Sequence, residues 1–273
     1  VSAARNLDRV DADARRCRGR PHLGLTTEWT RHVTSQPIEA TDDHDIRADP
    51  AGRSEASPNA SDMCNRFERV PTAAINDVLR SRGLITQTLP PHINGLAPSM
   101  RVAGIAFTIK GAKSLELDNE MSERAAMLEA IHEDAVCVWD TSGDDESAQW
   151  GEVMTMAAKR AGCRGAIVDG GVRDTDKVLR QDFPVFCRYR TSNGMLGRFR
   201  MTAYQVPIRI GVVVVQPGDV LVGDIDGVIV VPRRLAVDTL IAAERIVASE
   251  VEIKEMIAAG ATPKEVVERG GYF

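Results

Sequence analysis

The chain has 273 residues and a formal net charge of −5, with 43% hydrophobic and 4% aromatic residues. That length fits one large domain or two small ones, and no apolar run approaches the ~20 residues that a membrane helix needs. The mild acidity speaks against nucleic acid as the main partner, and the scarcity of aromatics leaves the core to aliphatic side chains and methionine.

Residues 1–62 are rich in Arg, Asp, Ser, Thr, Pro and Ala, carry one aromatic, Trp29, and sustain no apolar period. Such a segment buries too little apolar surface to offset chain entropy. It is expected to be a disordered extension, or a mis-assigned one lying upstream of a true start at Met63. It lacks the continuous apolar stretch of a secretory signal. Its Arg-rich opening resembles a transit peptide, but Asp8, Asp11 and Asp13 interrupt it. Cys17, Cys64, Cys137, Cys163 and Cys187 are scattered with no C-x-x-C, which predicts reduced, mostly buried thiols in a cytoplasmic protein.

From Met63 onward the pattern is regular. The spacing predicts a helix over Pro71–Arg82 closed by Gly83, then a strand over Val102–Lys110. A helix over Glu120–Ile131 and a buried strand over Ala135–Trp139 follow, then an acidic loop, Asp140–Ser147. Next come a helix over Gln149–Ala161, a short strand over Gly165–Val168, a helix over Asp174–Gln181 and a strand over Pro184–Arg188. Strands over Ile208–Val215, Val220–Val222 and Gly227–Val231 are separated by turns at Pro217-Gly218-Asp219 and Asp224-Ile225-Asp226-Gly227. A long helix over Leu235–Ala259 stops at Gly260. This order predicts one mixed α/β domain over 63–273.

The segment Val168-Asp169-Gly170-Gly171-Val172-Arg173-Asp174 draws the chemistry together. It reads as a strand end, a glycine turn and the start of a helix. There Arg173 could grip a carboxylate with its fork and Asp174 could hold a hard cation through oxygen. On spacing alone it fits equally a tight turn with a capping Asp and a surface Arg. Glu152, twenty residues before Arg173, opens the preceding helix, where an acid also simply suits the dipole. Asp140, Asp144, Asp145 and Glu146 read as a solvated loop or an outer metal shell, and residues 223–227 as a hairpin turn. His92 and His132 have no zinc-ligand spacing, and no P-loop, nucleophile elbow or dinucleotide fingerprint is present.

Glu152, twenty residues and then Arg173-Asp174 resembles the acid-x20-Arg-Asp signature of the RraA-like proteins. That family includes the class II 4-hydroxy-4-methyl-2-oxoglutarate aldolases, also oxaloacetate decarboxylases, and its members often carry a misleading demethylmenaquinone methyltransferase label. Further blocks resemble the same family: Ile93–Pro98 running into Val102–Thr108, Trp150-Gly151-Glu152, Gly165–Gly170, Pro217-Gly218-Asp219 and Asp226–Pro232. Together they span roughly residues 63–260.

The resemblance implies a β/β/α sandwich akin to the phosphohistidine swivelling domain, assembled as a homotrimer or a dimer of trimers. It implies a divalent cation, Mg²⁺ or Mn²⁺, held by Asp174, with Glu152 acting through water on that cation. Arg173 would bind the carboxylate and keto oxygen of a small 2-keto dicarboxylic acid. Val153, Met154 and Asn119 would complete the substrate pocket, and Glu250 would reach it from a neighbour's C-terminal helix. The implied activity is carbon–carbon cleavage to pyruvate, with oxaloacetate decarboxylation; a non-catalytic protein that binds and inhibits a ribonuclease is the alternative. One position departs from the family. Lys177 stands where an acid is usual, and Asp176 lies one residue earlier, about 100° away around a helix.

Overall fold

The computed structural model describes residues 59–271. Residues 1–58, most of the segment read as an extension, lie outside the described residues. Helix α1 (Ala60–Phe67) nevertheless begins inside that segment, with the Asn59 side chain accepting from the Asp62 amide as its N-cap.

The elements that follow are α2 (Thr72–Ser81), β1 (Asn94–Gly95), β2 (Val102–Lys113), α3 (Glu120–Glu129), β3 (Ala135–Asp140), β4 (Ala148–Trp150) and α4 (Glu152–Arg160). Then come β5 (Gly165–Val172), α5 (Thr175–Leu179), β6 (Val185–Arg190), β7 (Phe199–Tyr204), β8 (Ile208–Ile210) and β9 (Val213–Val215). The chain ends in β10 (Val220–Asp224), β11 (Gly227–Val231), α6 (Ala236–Ala258) and α7 (Pro263–Glu268). No helix among the described residues is long and apolar enough to cross a membrane.

The main sheet runs β1-β6-β5-β3-β2-β10-β11. Its centre, β6-β5-β3-β2, is parallel, and β10 and β11 join antiparallel. The segment after α2 links the two edges. The Val230 amide donates to the Gln87 carbonyl at 2.9 Å and the Leu89 amide to the Val228 carbonyl at 2.8 Å, while the Leu96 amide reaches the Val185 carbonyl of β6. The sheet is therefore rolled nearly closed, which protects its edges.

Alternation along the strands sorts the core. Val102, Ala106, Val136, Val138, Ile167, Phe186, Leu221, Val228 and Val230 point inward, where Ile208, Ile210, Val213 and Val215 of the β8–β9 hairpin join them. The outward residues of β10 and β11 pack under α1, α2 and α6. The outward residues of β3, β5 and β6, among them Cys137, Trp139, Val168 and Val185, pack with Met127 of α3, Ala158 of α4 and Val178 of α5. Burial on both faces explains why these strands read as continuous apolar runs.

The mixed α/β class and most of the predicted elements are present, with informative differences. Ile208–Val215 is a hairpin folded at Gly211, whose φ of +60° favours glycine. The helix expected from Gln149 starts at Glu152, because Ala148–Trp150 pairs with the end of β5 as β4. The expected glycine turn is strand: β5 continues through Gly170 and Gly171 to Val172. Cys64, Cys137, Cys163 and Cys187 are buried free thiols, and burial pushes Cys64 and Cys187 up to about 11.

Candidate active site

The candidate site residues Arg173, Asp174 and Glu152 converge where β4 and β5 end. The Arg173 amide donates to the Trp150 carbonyl at 3.0 Å, so the chain leaving β5 lies directly against Gly151 and the first turn of α4. This approach needs small residues. A Cβ on Gly170 would meet Gln149 Oε1 at 2.2 Å, and one on Gly171 would meet the Ser147 carbonyl at 2.5 Å. The two glycines thus let β5 and β4 touch; they are not the ligand-facing turn expected from sequence. Gln149 locks the contact. Its Oε1 accepts from the Gly171 amide at 2.9 Å, and its Nε2 donates to buried Asp144 at 2.6 Å.

Beyond this junction is a cavity of about 450 Å³, within the usual size of a small-ligand site. Arg173 and Asp174 form one wall, with Arg173 Nε 3.5 Å from Asp174 Oδ2. Asp174 occupies the N-cap position of α5 but makes no capping bond, and its backbone is left-handed at φ 52°. A non-glycine residue in that region is strained unless its surroundings hold it there. Its carboxylate is left to the cavity rather than spent on the helix.

Glu152, Val153 and Met154 bring the N-terminus of α4 to the same cavity. The first-turn amides have no intrahelical acceptor and carry the positive end of the helix dipole. The structure therefore brings together Arg173, Asp174, Glu152, Val153 and Met154. Glu152 is paired on one side: Lys177 Nζ lies 2.9 Å from Glu152 Oε2, and this bond holds the Lys177 ammonium above its ordinary pKa.

Two predicted residues lie elsewhere. Asn119 is exposed at the left-handed start of α3, before the helix face that lines the cavity, so it is outside the lining. Glu250 is on α6, paired with Lys254 at 2.9 Å, on the helix layer over β10 and β11. Asp169 also parts from Arg173. It faces the other side of β5, 3.6 Å from both His92 Nε2 and Arg188 Nε, and burial raises its pKa. In the acidic loop, Asp144 is a buried acceptor of Ser147 and Gln149, whereas Asp145 and Glu146 are exposed partners of Lys113. Asp224 accepts from the Thr72 amide and hydroxyl, consistent with a structural turn at 223–227.

Two further elements complete the lining. Met121, Arg124, Ala125 and Leu128 of α3 form one wall, and Gly194, Met195 and Leu196 another. The α3 residues carry a helix-face spacing of i, i+3, i+4 and i+7 that was visible in the sequence; the 194–196 loop has no such pattern.

The donor set suits a hard divalent cation. The Asp174 carboxylate accepts no hydrogen bond from any described residue, and a cation such as Mg²⁺ takes one or two carboxylates and completes its shell with water and substrate oxygens. No group of three or more His, Cys, Asp or Glu able to enclose a metal occurs among the described residues.

Fold and cavity define a mixed α/β protein with a small cleft, lined by Arg173, Asp174 and Glu152, at the ends of two adjoining strands. The chain belongs to the RraA-like family: the family model described as RraA-like, Aldolase/RraA, matches residues 72–230. A protein of Halalkalibacterium halodurans, provisionally named 4-hydroxy-4-methyl-2-oxoglutarate aldolase, is 34% identical over 172 residues, covering 63% of this chain and 77% of that protein. A crystal structure described as a novel cellulase from microbes associated with the gut ecosystem is 44% identical, with a TM-score of 0.70, covering 74% of this chain and 90% of that one. Streptomyces coelicolor RraAS2, described as an unusual member of the RNase ES inhibitor RraA family, is 27% identical with a TM-score of 0.66, covering 73% and 99%.

Proposed function

We propose that this protein is a divalent-metal-dependent carbon–carbon lyase. It would cleave 4-hydroxy-4-methyl-2-oxoglutarate or a related 2-keto acid to pyruvate and also decarboxylate oxaloacetate. The observation that carries this reading is the convergence of Arg173, Asp174, Glu152 and the α4 N-terminus on one cavity. The aldolase name of the Halalkalibacterium halodurans relative supports the same reading.

The chemistry asks for little more. Breaking the bond beyond C3 of a 2-keto acid leaves its electron pair on a pyruvate enolate, which then takes one proton at C3. In the retro-aldol direction the C4 hydroxyl first loses a proton and its carbon leaves as a carbonyl; in decarboxylation the departing carbon leaves as carbon dioxide. Arg173 supplies fixed positive charge where the enolate oxygen develops. The amides of Val153 and Met154 and the α4 dipole hold the substrate carboxylate. Glu152, paired with Lys177, would carry the proton. Asp174 would hold the cation, with Glu152 nearby; when bound, such a cation acts as a Lewis acid on the keto acid. Glu250 can serve only the cavity of another copy of the chain, in the trimeric ring that this reading includes.

The test is pyruvate release from oxaloacetate with Mg²⁺, repeated with EDTA and with Asp174→Ala. The reading requires turnover that both treatments abolish. An absence of metal-dependent turnover on any 2-keto acid would sink it and favour the inhibitor reading that the Streptomyces relative supports.

A further inference from the structure

Arg124 and Glu120, on α3, present an unusual pair. Glu120 is only 2% exposed, and its Oε1 accepts from Arg124 Nη2. Its other oxygen, Oε2, and Arg124 Nε are both buried with no hydrogen-bond partner. Buried polar groups are rarely left so, and a half-satisfied ion pair in a core is costly. Yet Arg124 is not sealed: its side chain is 17% exposed and lines the cavity that holds Arg173 and Asp174. The cavity thus has a second arginine in its lining, on a wall contributed by a different element. Most of the surface around it is aliphatic, from Met121, Ala125, Leu128 and Met195.

The geometry points to Arg124 as a specificity-determining residue that binds the distal carboxylate of a 2-keto diacid. The inference rests on the lyase reading for the position of the keto-acid end, at Arg173 and the α4 amides. A ligand that places one carboxylate there carries its chain across the apolar wall, so an anionic tail ends beside Arg124. A tail carboxylate gives that guanidinium an acceptor on the cavity side that Glu120, engaged from the buried side, does not provide. A neutral tail gains only the apolar contact and leaves the guanidinium's open donors without a partner.

The experiment is calorimetric titration of the full chain, with Mg²⁺, by two stable 2-keto acids of equal length. One is 2-oxoglutarate, with an anionic tail; the other is 2-oxopentanoate, with a neutral one. The wild type is expected to bind the diacid roughly tenfold to a hundredfold more tightly, the range of a charge-assisted hydrogen bond. Arg124→Met alone strands the buried Glu120 and could fail to fold, so the key variant is Glu120→Gln/Arg124→Met. It should erase the preference while changing 2-oxopentanoate affinity less than about threefold, the residue of a lost nonspecific contact. Arg124→Lys should retain part of the preference. A wild type that does not discriminate, or a folded double variant that still does, overturns the assignment. If oxaloacetate yields no pyruvate but the Arg124-dependent preference persists, the lyase reading alone fails and Arg124 keeps its role. If neither acid binds, both fail.

Discussion

Lys177 Nζ lies 2.9 Å from Glu152 Oε2, which places an ammonium on the one cavity carboxylate other than Asp174. The position where the family resemblance implies an acid thus carries the opposite charge here and is in direct contact with the proposed proton carrier. In the proposed lyase, Lys177 would lower the negative charge available to a cation at Asp174 and would orient Glu152.

Lys177→Glu should therefore tighten the metal site. Replacing a cation by an anion near a bound divalent ion adds an attraction that solvent screens but does not abolish. The Mg²⁺ concentration for half-maximal pyruvate release should fall several-fold. Stability should change little, because the Lys177 side chain is half exposed and its pair with Glu152 is screened by solvent. An unchanged Mg²⁺ requirement would show that Lys177 does not sense the cation.

The glycines around the site should separate folding from binding. Gly170→Ala and Gly171→Ala insert a methyl within 2.5 Å of β4 or a neighbouring side chain, so each should cost about 1–3 kcal/mol and lower Tm by several degrees. Gly194→Ala instead meets Arg173 Nη1 at 2.9 Å, the far end of a flexible side chain. It should leave Tm nearly unchanged and raise KM as the guanidinium shifts. Thermal melts and steady-state kinetics on the three variants distinguish these roles, and equal Tm losses in all three would contradict them.

On the opposite helix layer, Arg66 clasps Glu244 with two bonds, at 2.9 and 2.6 Å, tying α1 to α6. The Arg66 guanidinium holds the Glu244 carboxyl below its ordinary value. A depressed folded pKa means stability that is present above the unfolded value, near 4.3, and is lost as pH falls through the folded one. Glu244→Gln should cost about 0.5–1 kcal/mol at pH 7, a figure discounted for the pair's partial exposure. The difference from wild type should close in acid. Urea melts at pH 7 and pH 3 measure it; a gap of equal size at both would rule out the ion pair as its source.

The sequence alone determined the periodic parts of this protein. Val102–Lys110, Ala135–Trp139 and Gly227–Val231 announce strands, and Leu235–Ala259 announces a helix, because burial and backbone period are local properties of the chain. The pairing of Glu152 with Arg173-Asp174 was also legible, through the spacing shared with related sequences. Other features depend on contacts between distant segments. Ala148–Trp150 has too few residues to show a period, and becomes a strand only because Gly170 and Gly171 let β5 come close enough to pair with it. Whether Asp174 caps α5 or serves the cavity depends on its backbone being held left-handed, which no local pattern encodes. Lys177 could be read as a departure from the family, but that it grips Glu152 required α4 and α5 to be packed together. Arg124 was one charge on an amphipathic helix until the fold turned that face toward Arg173. In each case the decisive quantity is a distance across the tertiary structure, set by packing that the linear chain does not record.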